Sequence, residues 1–248
     1  MKVNFSTILE DCKARYKAFE GDVKIDRAPR SFENAILEEP NNPIIAEIKP
    51  SSPVGKLREV VDPGALAQDI VEGGACGISV LTEEKYFGGS LNNLERVSKA
   101  SKVPVLRKDF IFHEAQIPES YYYGADSLLL IASFFSVLDL GRFIGSCRDR
   151  GMEPLVEVHS LKDVAKADKA GARFFAINNR DKDTLEIDLD RSRVFSKGID
   201  GIKVSASGIT TEEDLRFVLE YCDAALVGSA LMKAENVKET LREFVYGT

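Results

Sequence analysis

Eight short apolar runs, separated by longer stretches of helical periodicity, restrict what this chain can fold into more than any other feature. They run from Ile44 to Ile48, Gly77 to Leu81, Pro104 to Leu106, Ser127 to Ile131, Pro154 to Val158, Phe174 to Ile177, Gly201 to Val204 and Ala224 to Val227. The segments between them begin and end as helices do. Asp62 followed by Pro63 reads as an N-cap with proline in the first helical position, and Thr210 to Glu213 has capping-box spacing. Gly74-Ala75, Gly124-Ala125 and Gly171-Ala172 each close a helical pattern ahead of a strand, where a left-handed C′ residue favours glycine. Regular alternation predicts a parallel sheet, and eight units in about 250 residues suit a (β/α)8 TIM barrel. The rival, a doubly wound open sheet, usually carries a glycine-rich nucleotide loop, but the chain contains neither G-x-G-x-x-G nor G-x-x-x-x-G-K-[ST]. The expectation is an α/β chain forming one barrel domain over residues 1–248. Residues 1–42 would form a helical extension packed on the barrel, with helices from about Phe5 to Phe19 and from Ser31 to Glu38.

Composition narrows the function classes. A net charge of −7 argues against sequence-independent binding to nucleic acid or to an anionic membrane, since both need a basic field. The four cysteines are dispersed without a C-x-x-C pair, and His113 and His159 have no partners at metal-ligand spacing, so no metal is expected. Both histidines read as surface or helix-start residues. With no leader-like or bilayer-length apolar run, a cytoplasmic protein is expected, and a monomer, although sequence does not fix the oligomeric state.

Charges at the ends of several predicted strands need explaining, because strands of a parallel barrel are dry on both faces. Glu47 and Lys49 share one face of the first strand. Arg107, Lys108 and Asp109 end the third, Glu157 interrupts the fifth, and the sixth runs into Asn178, Asn179 and Arg180. Barrel enzymes build their sites at these strand ends. Mutually neutralising ion pairs are the plain alternative, but buried ion pairs seldom stabilise a fold better than apolar replacements, which favours function. After the seventh and eighth strands come "SASGI" and "GSALM", where glycine and serine expose backbone N–H groups suited to a phosphate. Ordinary tight turns would also explain these two loops.

The segments "IIAEIKPSSPVG", "SVLTEEKYFGGS", "VLRKDFI", "GADSLLLI", "GMEPLVEVH", "INNRD", "SGI" and "LVGSALM" resemble the indole-3-glycerol-phosphate synthase family, from about Pro43 to Met232. The resemblance implies a cofactor-free carboxy-lyase of tryptophan biosynthesis. Such an enzyme converts 1-(o-carboxyphenylamino)-1-deoxyribulose 5-phosphate into indole-3-glycerol phosphate with loss of CO2 and water. It further implies that Lys108 stabilises the keto oxygen during ring closure, that Lys49 is the acid for dehydration, and that Glu157 is the base. Glu47 would hold Lys49 or share the base's work, and Asn178 would complete the catalytic group. Arg180 and Ser52, with Asn178, would take the anthranilate carboxylate and sugar hydroxyls, with Phe87 and Phe110 walling the ring or serving as core. Ser207, Gly208, Gly228 and Ser229 would hold the phosphate of a small phosphorylated substrate, and "KPSSPVGKLREV", with Ser51, Gly55 and Lys56, is a candidate lid.

This chain departs from the family pattern in three places. Ala206 stands where the family has a glutamate before "SG", Lys182 stands where an apolar residue commonly lines the anthranilate pocket, and the extension lacks tryptophan. Ala206 motivates a second reading, a catalytically weakened or redesigned barrel that binds a phosphorylated or aromatic ligand. A phosphoribosylanthranilate isomerase would share the phosphate loops but usually relies on a cysteine–aspartate pair, and no cysteine here ends a strand in that way.

Overall fold

Strands buried on both faces must be apolar at consecutive positions, and the eight runs form a closed parallel barrel on that principle. The computed structural model describes residues 5–247 except 22, 25, 54 and 183. The strands are β1 Ile44–Ile48, β2 Gly77–Leu81, β3 Val105–Lys108, β4 Ser127–Ile131, β5 Leu155–Val158, β6 Phe174–Asn178, β7 Ile202–Ala206 and β8 Ala224–Val227. Each pairs in parallel with its neighbour in sequence, and β8 returns to β1 through Ile44↔Ala225, Ile45↔Leu226 and Ala46↔Val227. Four strands begin or end one to two residues away from the apolar runs: β3, β6 and β7 continue into polar residues that hydrophobicity alone does not flag.

Parity sorts the side chains. Ile45, Leu106, Leu129, Leu155, Phe174, Ala176 and Leu226 fill the barrel interior. Their neighbours of opposite parity, such as Ile44, Ile78 and Val105, pack against Ile70, Leu94 and Val97 of the surrounding helices. Leu128, Leu130, Val156 and Phe175 do the same with Leu140, Phe143 and Val164. Asp62 caps the helix Pro63–Glu72 by accepting from the Gly64 and Ala65 N–H groups. Gly74, Gly124 and Gly171 are all left-handed. The capping box is one residue later than its sequence spacing suggested: Thr211 is the N-cap and Asp214 its reciprocal partner, while the Thr210 N–H and hydroxyl both donate to the same Asp214 carboxylate.

Two helices precede β1, α1 Phe5–Arg15 and α2 Phe32–Leu37. They serve opposite ends of the barrel. Phe5 of α1 meets Phe110 and His159 edge-on at ring-centroid distances of 5.8 and 5.5 Å, above the C-terminal mouth. The helix stops at Arg15 rather than near Phe19; its one buried residue is Ile8, so little apolar contact holds a longer helix. Phe32 of α2 closes the N-terminal end, 5.7 Å from the Phe174 ring, and a Cβ on Gly77 would come within 2.4 Å of it. Between the helices, Arg27 and Arg30 both pair with buried Asp126, at 2.7 and 2.9 Å. Among the described residues, no helix is long and apolar enough to cross a membrane.

Phe32→Ala is expected to cost about 3–5 kcal/mol of unfolding free energy, as for other buried phenylalanines. Denaturant unfolding measures it, and a loss below about 1 kcal/mol would show that α2 does not plug the barrel.

Candidate active site

The interior parity that buries Ile45, Leu106 and Leu155 also carries Glu47, Lys108 and Glu157 to one mouth. Lys49, two residues beyond Glu47, lies just past the end of β1. The Lys49 ammonium is 2.7 Å from Glu47 Oε1, and Lys108 Nζ lies between Glu47 Oε2 at 3.8 Å and Glu157 Oε2 at 3.9 Å. Both carboxylates are almost fully buried, at 3% and 2% exposure. Lys108 is within ion-pair range of both but too far from either for a hydrogen bond. Glu157 Oε2 has no hydrogen-bond partner among the described residues. A proton donor and a proton acceptor therefore face the same space with bonding capacity unused.

Each charge is set by its neighbours. Burial pushes the Glu157 carboxyl up, but the Lys108 charge and the His159 hydrogen bond outweigh it and hold the group at about 2. Glu47 is likewise lowered, burial being overcome by Lys49 and Lys108. Lys108 is raised, because Glu47 and Glu157 outweigh its burial. Free glutamate titrates near about 4.3, so Glu157 stabilises the fold above that pH, and its contribution is lost as pH falls toward 2. Between those values, unfolding free energy should fall more steeply for the native chain than for Glu157→Gln; equal slopes would contradict the assignment.

The third-strand cluster divides. Arg107 has the opposite parity from Lys108 and points outward, where it pairs with Asp109 at 3.0 Å and Glu119 at 2.8 Å and donates to Ser120 and Thr82. Arg107 and Asp109 thus form a structural ion pair behind the barrel wall, not part of the mouth. His159, expected at the surface or a helix start, precedes the Ser160 N-cap but is buried, with Nε2 2.8 Å from Glu157 Oε1 and the Phe5 ring against it. Its position two residues beyond Glu157 was the available signal. His113 does lie at a helix start, its Nδ1 accepting from the Ala115 N–H.

Asn178 is buried at the end of β6, its Oδ1 accepting from the Arg180 N–H at 2.9 Å. The Arg180 guanidinium donates to the Leu185 carbonyl, within the turn that also contains Lys182. Phe110 lies against Phe5, Phe134 and Phe87 at ring-centroid distances of 5.8, 5.8 and 6.3 Å; the sequence marks Phe5 only as a helix start, and nothing in it marks Phe134. Ser51–Ser52 pairs antiparallel with Gly55–Lys56; the Ser52 hydroxyl donates to the Gly55 carbonyl, and the Ser51 N–H to that of Phe87. Residue 54 of this hairpin lies outside the described residues.

The loop after β8 meets the charged cluster directly. A Cβ on Gly228 would come 2.5 Å from Glu47 Oε1, so glycine is needed for the Glu47 side chain to pass over the end of β8. Ser229 then begins the short helix Ser229–Lys233. At the end of β7, Ser207 and Gly208 are both left-handed, with φ of 72° and 86°. Ala206 is buried, in register with Asn178 and Leu226.

Fold and mouth together define a (β/α)8 barrel with a buried lysine–carboxylate cluster at the C-terminal ends of its strands. The chain matches the family described as "Indole-3-glycerol phosphate synthase" over residues 5–244. It belongs to that family, whose members act on a small phosphorylated substrate. It is similar to the indole-3-glycerol phosphate synthase of Methanocaldococcus jannaschii, with 46% identity covering 84% of this chain and 79% of the relative. With that of Pyrococcus furiosus it shares 42% identity over 85% of this chain and 95% of the relative. Among solved structures, a 3-hexulose-6-phosphate synthase superposes with a TM-score of 0.66 at 15% identity, covering 82% of this chain and 97% of that one, a likeness of fold.

Proposed function

We propose that the barrel closes the indole ring of 1-(o-carboxyphenylamino)-1-deoxyribulose 5-phosphate, releasing CO2 and water to give indole-3-glycerol phosphate. The observation that carries this reading is Lys108 Nζ standing 3.8 and 3.9 Å from two buried carboxylates without a hydrogen bond to either. A cation so placed meets the keto oxygen as it gains charge. As the carboxylate-bearing ring carbon bonds to the keto carbon, Lys108 protonates the oxygen. Loss of CO2 restores the aromatic ring. Lys49, held by Glu47, then protonates the new hydroxyl so that it departs as water, and Glu157 takes the proton whose removal completes the indole.

Ser207, Gly208, Gly228 and Ser229 hold the phosphate, the turns at β7 and β8 supplying N–H donors. Arg180, with Ser52 and Asn178, takes the anthranilate carboxylate and sugar hydroxyls, since guanidinium geometry suits a planar carboxylate. Phe110 and Phe87 wall the ring, and the Ser51–Lys56 hairpin acts as a lid. Mass spectrometry of the incubated substrate tests the reaction. A product lighter by one CO2 and one water supports it; substrate bound but recovered unchanged would favour a weakened, ligand-binding barrel.

Ala206→Glu is expected to raise kcat, by returning a carboxylate beside Asn178 at the mouth. An unchanged or lower kcat would show that the missing carboxylate is irrelevant in this chain.

A further inference from the structure

Behind Asn178 the next residue, Asn179, is completely buried and faces away from the mouth, yet every polar atom of its amide is used. Nδ2 donates to the Ser207 carbonyl at 3.0 Å and to Ser205 Oγ at 2.9 Å, and Oδ1 accepts from Ser192 Oγ at 2.9 Å. Ser192 and Ser205 close the network with hydroxyl oxygens 2.8 Å apart. A carbonyl can only accept, so the contact with Ser207 fixes which amide atom is nitrogen. The backbone repeats the link: the Asn179 N–H donates to the Ala206 carbonyl, and the Asn179 carbonyl accepts from Asp188.

What this network holds is unusual. Ser207 occupies the left-handed region at φ 72°, uncommon for a residue with a side chain, and Gly208 follows at φ 86°. From the other side Ile187 closes on the turn, so tightly that a Cβ on Gly208 would lie 2.3 Å from its Cγ2. The Gly208 and Ile209 N–H groups donate to no partner among the described residues. A turn with free donors is being held in a rare conformation by groups that do not reach the mouth.

We propose that Asn179 is the positioning residue of the phosphate turn, its amide holding the Ser207 carbonyl so that the Ser207–Gly208 pair keeps its N–H groups available to the substrate phosphate. This rests on the reading of that turn as a phosphate cradle. Asn179→Ala removes the tie, and Asn179→Asp keeps the volume while setting a carboxylate, which can only accept, against the Ser207 carbonyl. In both variants KM for the deoxyribulose phosphate and the inhibition constant for inorganic phosphate should rise together by about tenfold or more, with kcat within about threefold. A lowered melting temperature with both constants unchanged would overturn the proposal, leaving Asn179 a scaffold residue. If neither variant folds, Ser192→Ala, which removes only the hydroxyl that orients Asn179 Oδ1, carries the test: a smaller joint rise supports the proposal and none overturns it. Native protein that binds inorganic phosphate in a calorimeter but forms no indole would sink the ring-closing reading alone. Phosphate affinity indifferent to Asn179 would sink this one alone.

Discussion

Replacing Lys108 by methionine is expected to lower indole formation by at least two to three orders of magnitude, roughly the cost of removing one charge-stabilising donor from a dry site. Loss of an acid adds to that cost. Methionine keeps an unbranched chain of similar reach, so packing at the end of β3 changes little. The carboxylates that Lys108 leaves behind keep other partners: Glu47 has Lys49 at 2.7 Å, and Glu157 has His159 at 2.8 Å. The variant should therefore fold, with an unaltered circular dichroism spectrum, while kcat collapses. A folded variant retaining more than about a tenth of native kcat would remove Lys108 from the chemistry.

Glu157→Gln separates charge from shape at the other side of the mouth. Glutamine is nearly isosteric, and its carbonyl oxygen can still accept from His159 Nε2, so the side chain stays in place while the proton acceptor is lost. We expect kcat to fall by about 10²–10⁴, with KM changed far less, because the proton is transferred only after substrate is bound. The native carboxyl, held at about 2, is ionised across the working pH range, so its titration should not shape the acid limb of the activity profile above about pH 4. A kcat near the native value would show that the proton leaves by another route.

The barrel was legible because its strands are dry on both sides: a run such as Ser127 to Ile131 has no polar face to confuse its reading. Strand ends were harder, since Lys108, Asn178 and Ala206 continue the ladder with side chains chosen for the mouth. Sequence brought Arg107, Lys108 and Asp109 together as one cluster, whereas parity sends Lys108 inward and Arg107 behind the wall. The same parity, carried from Glu157 to His159, puts the imidazole beside the Glu157 carboxylate, a contact that metal-ligand spacing does not reveal. Asn179 stands out in sequence only as one of the polar residues ending the sixth strand; its role is not legible there, since its partners Ser192, Ser205 and Ser207 lie on other elements. Nor does any local pattern encode which end of the barrel a helix will cover. That Phe5 roofs the mouth and Phe32 plugs the opposite end emerges only from tertiary packing.

On the proposed reading, Lys49, Lys108, Glu47 and Glu157 at one barrel mouth carry the proton transfers of indole ring closure. Mixing the native protein, in excess, with 1-(o-carboxyphenylamino)-1-deoxyribulose 5-phosphate and following indole fluorescence tests it most directly. A rise that consumes all the substrate is expected, and one that Lys108→Met all but eliminates. No rise from a folded native protein, or an equal rise from the Lys108 variant, would contradict it.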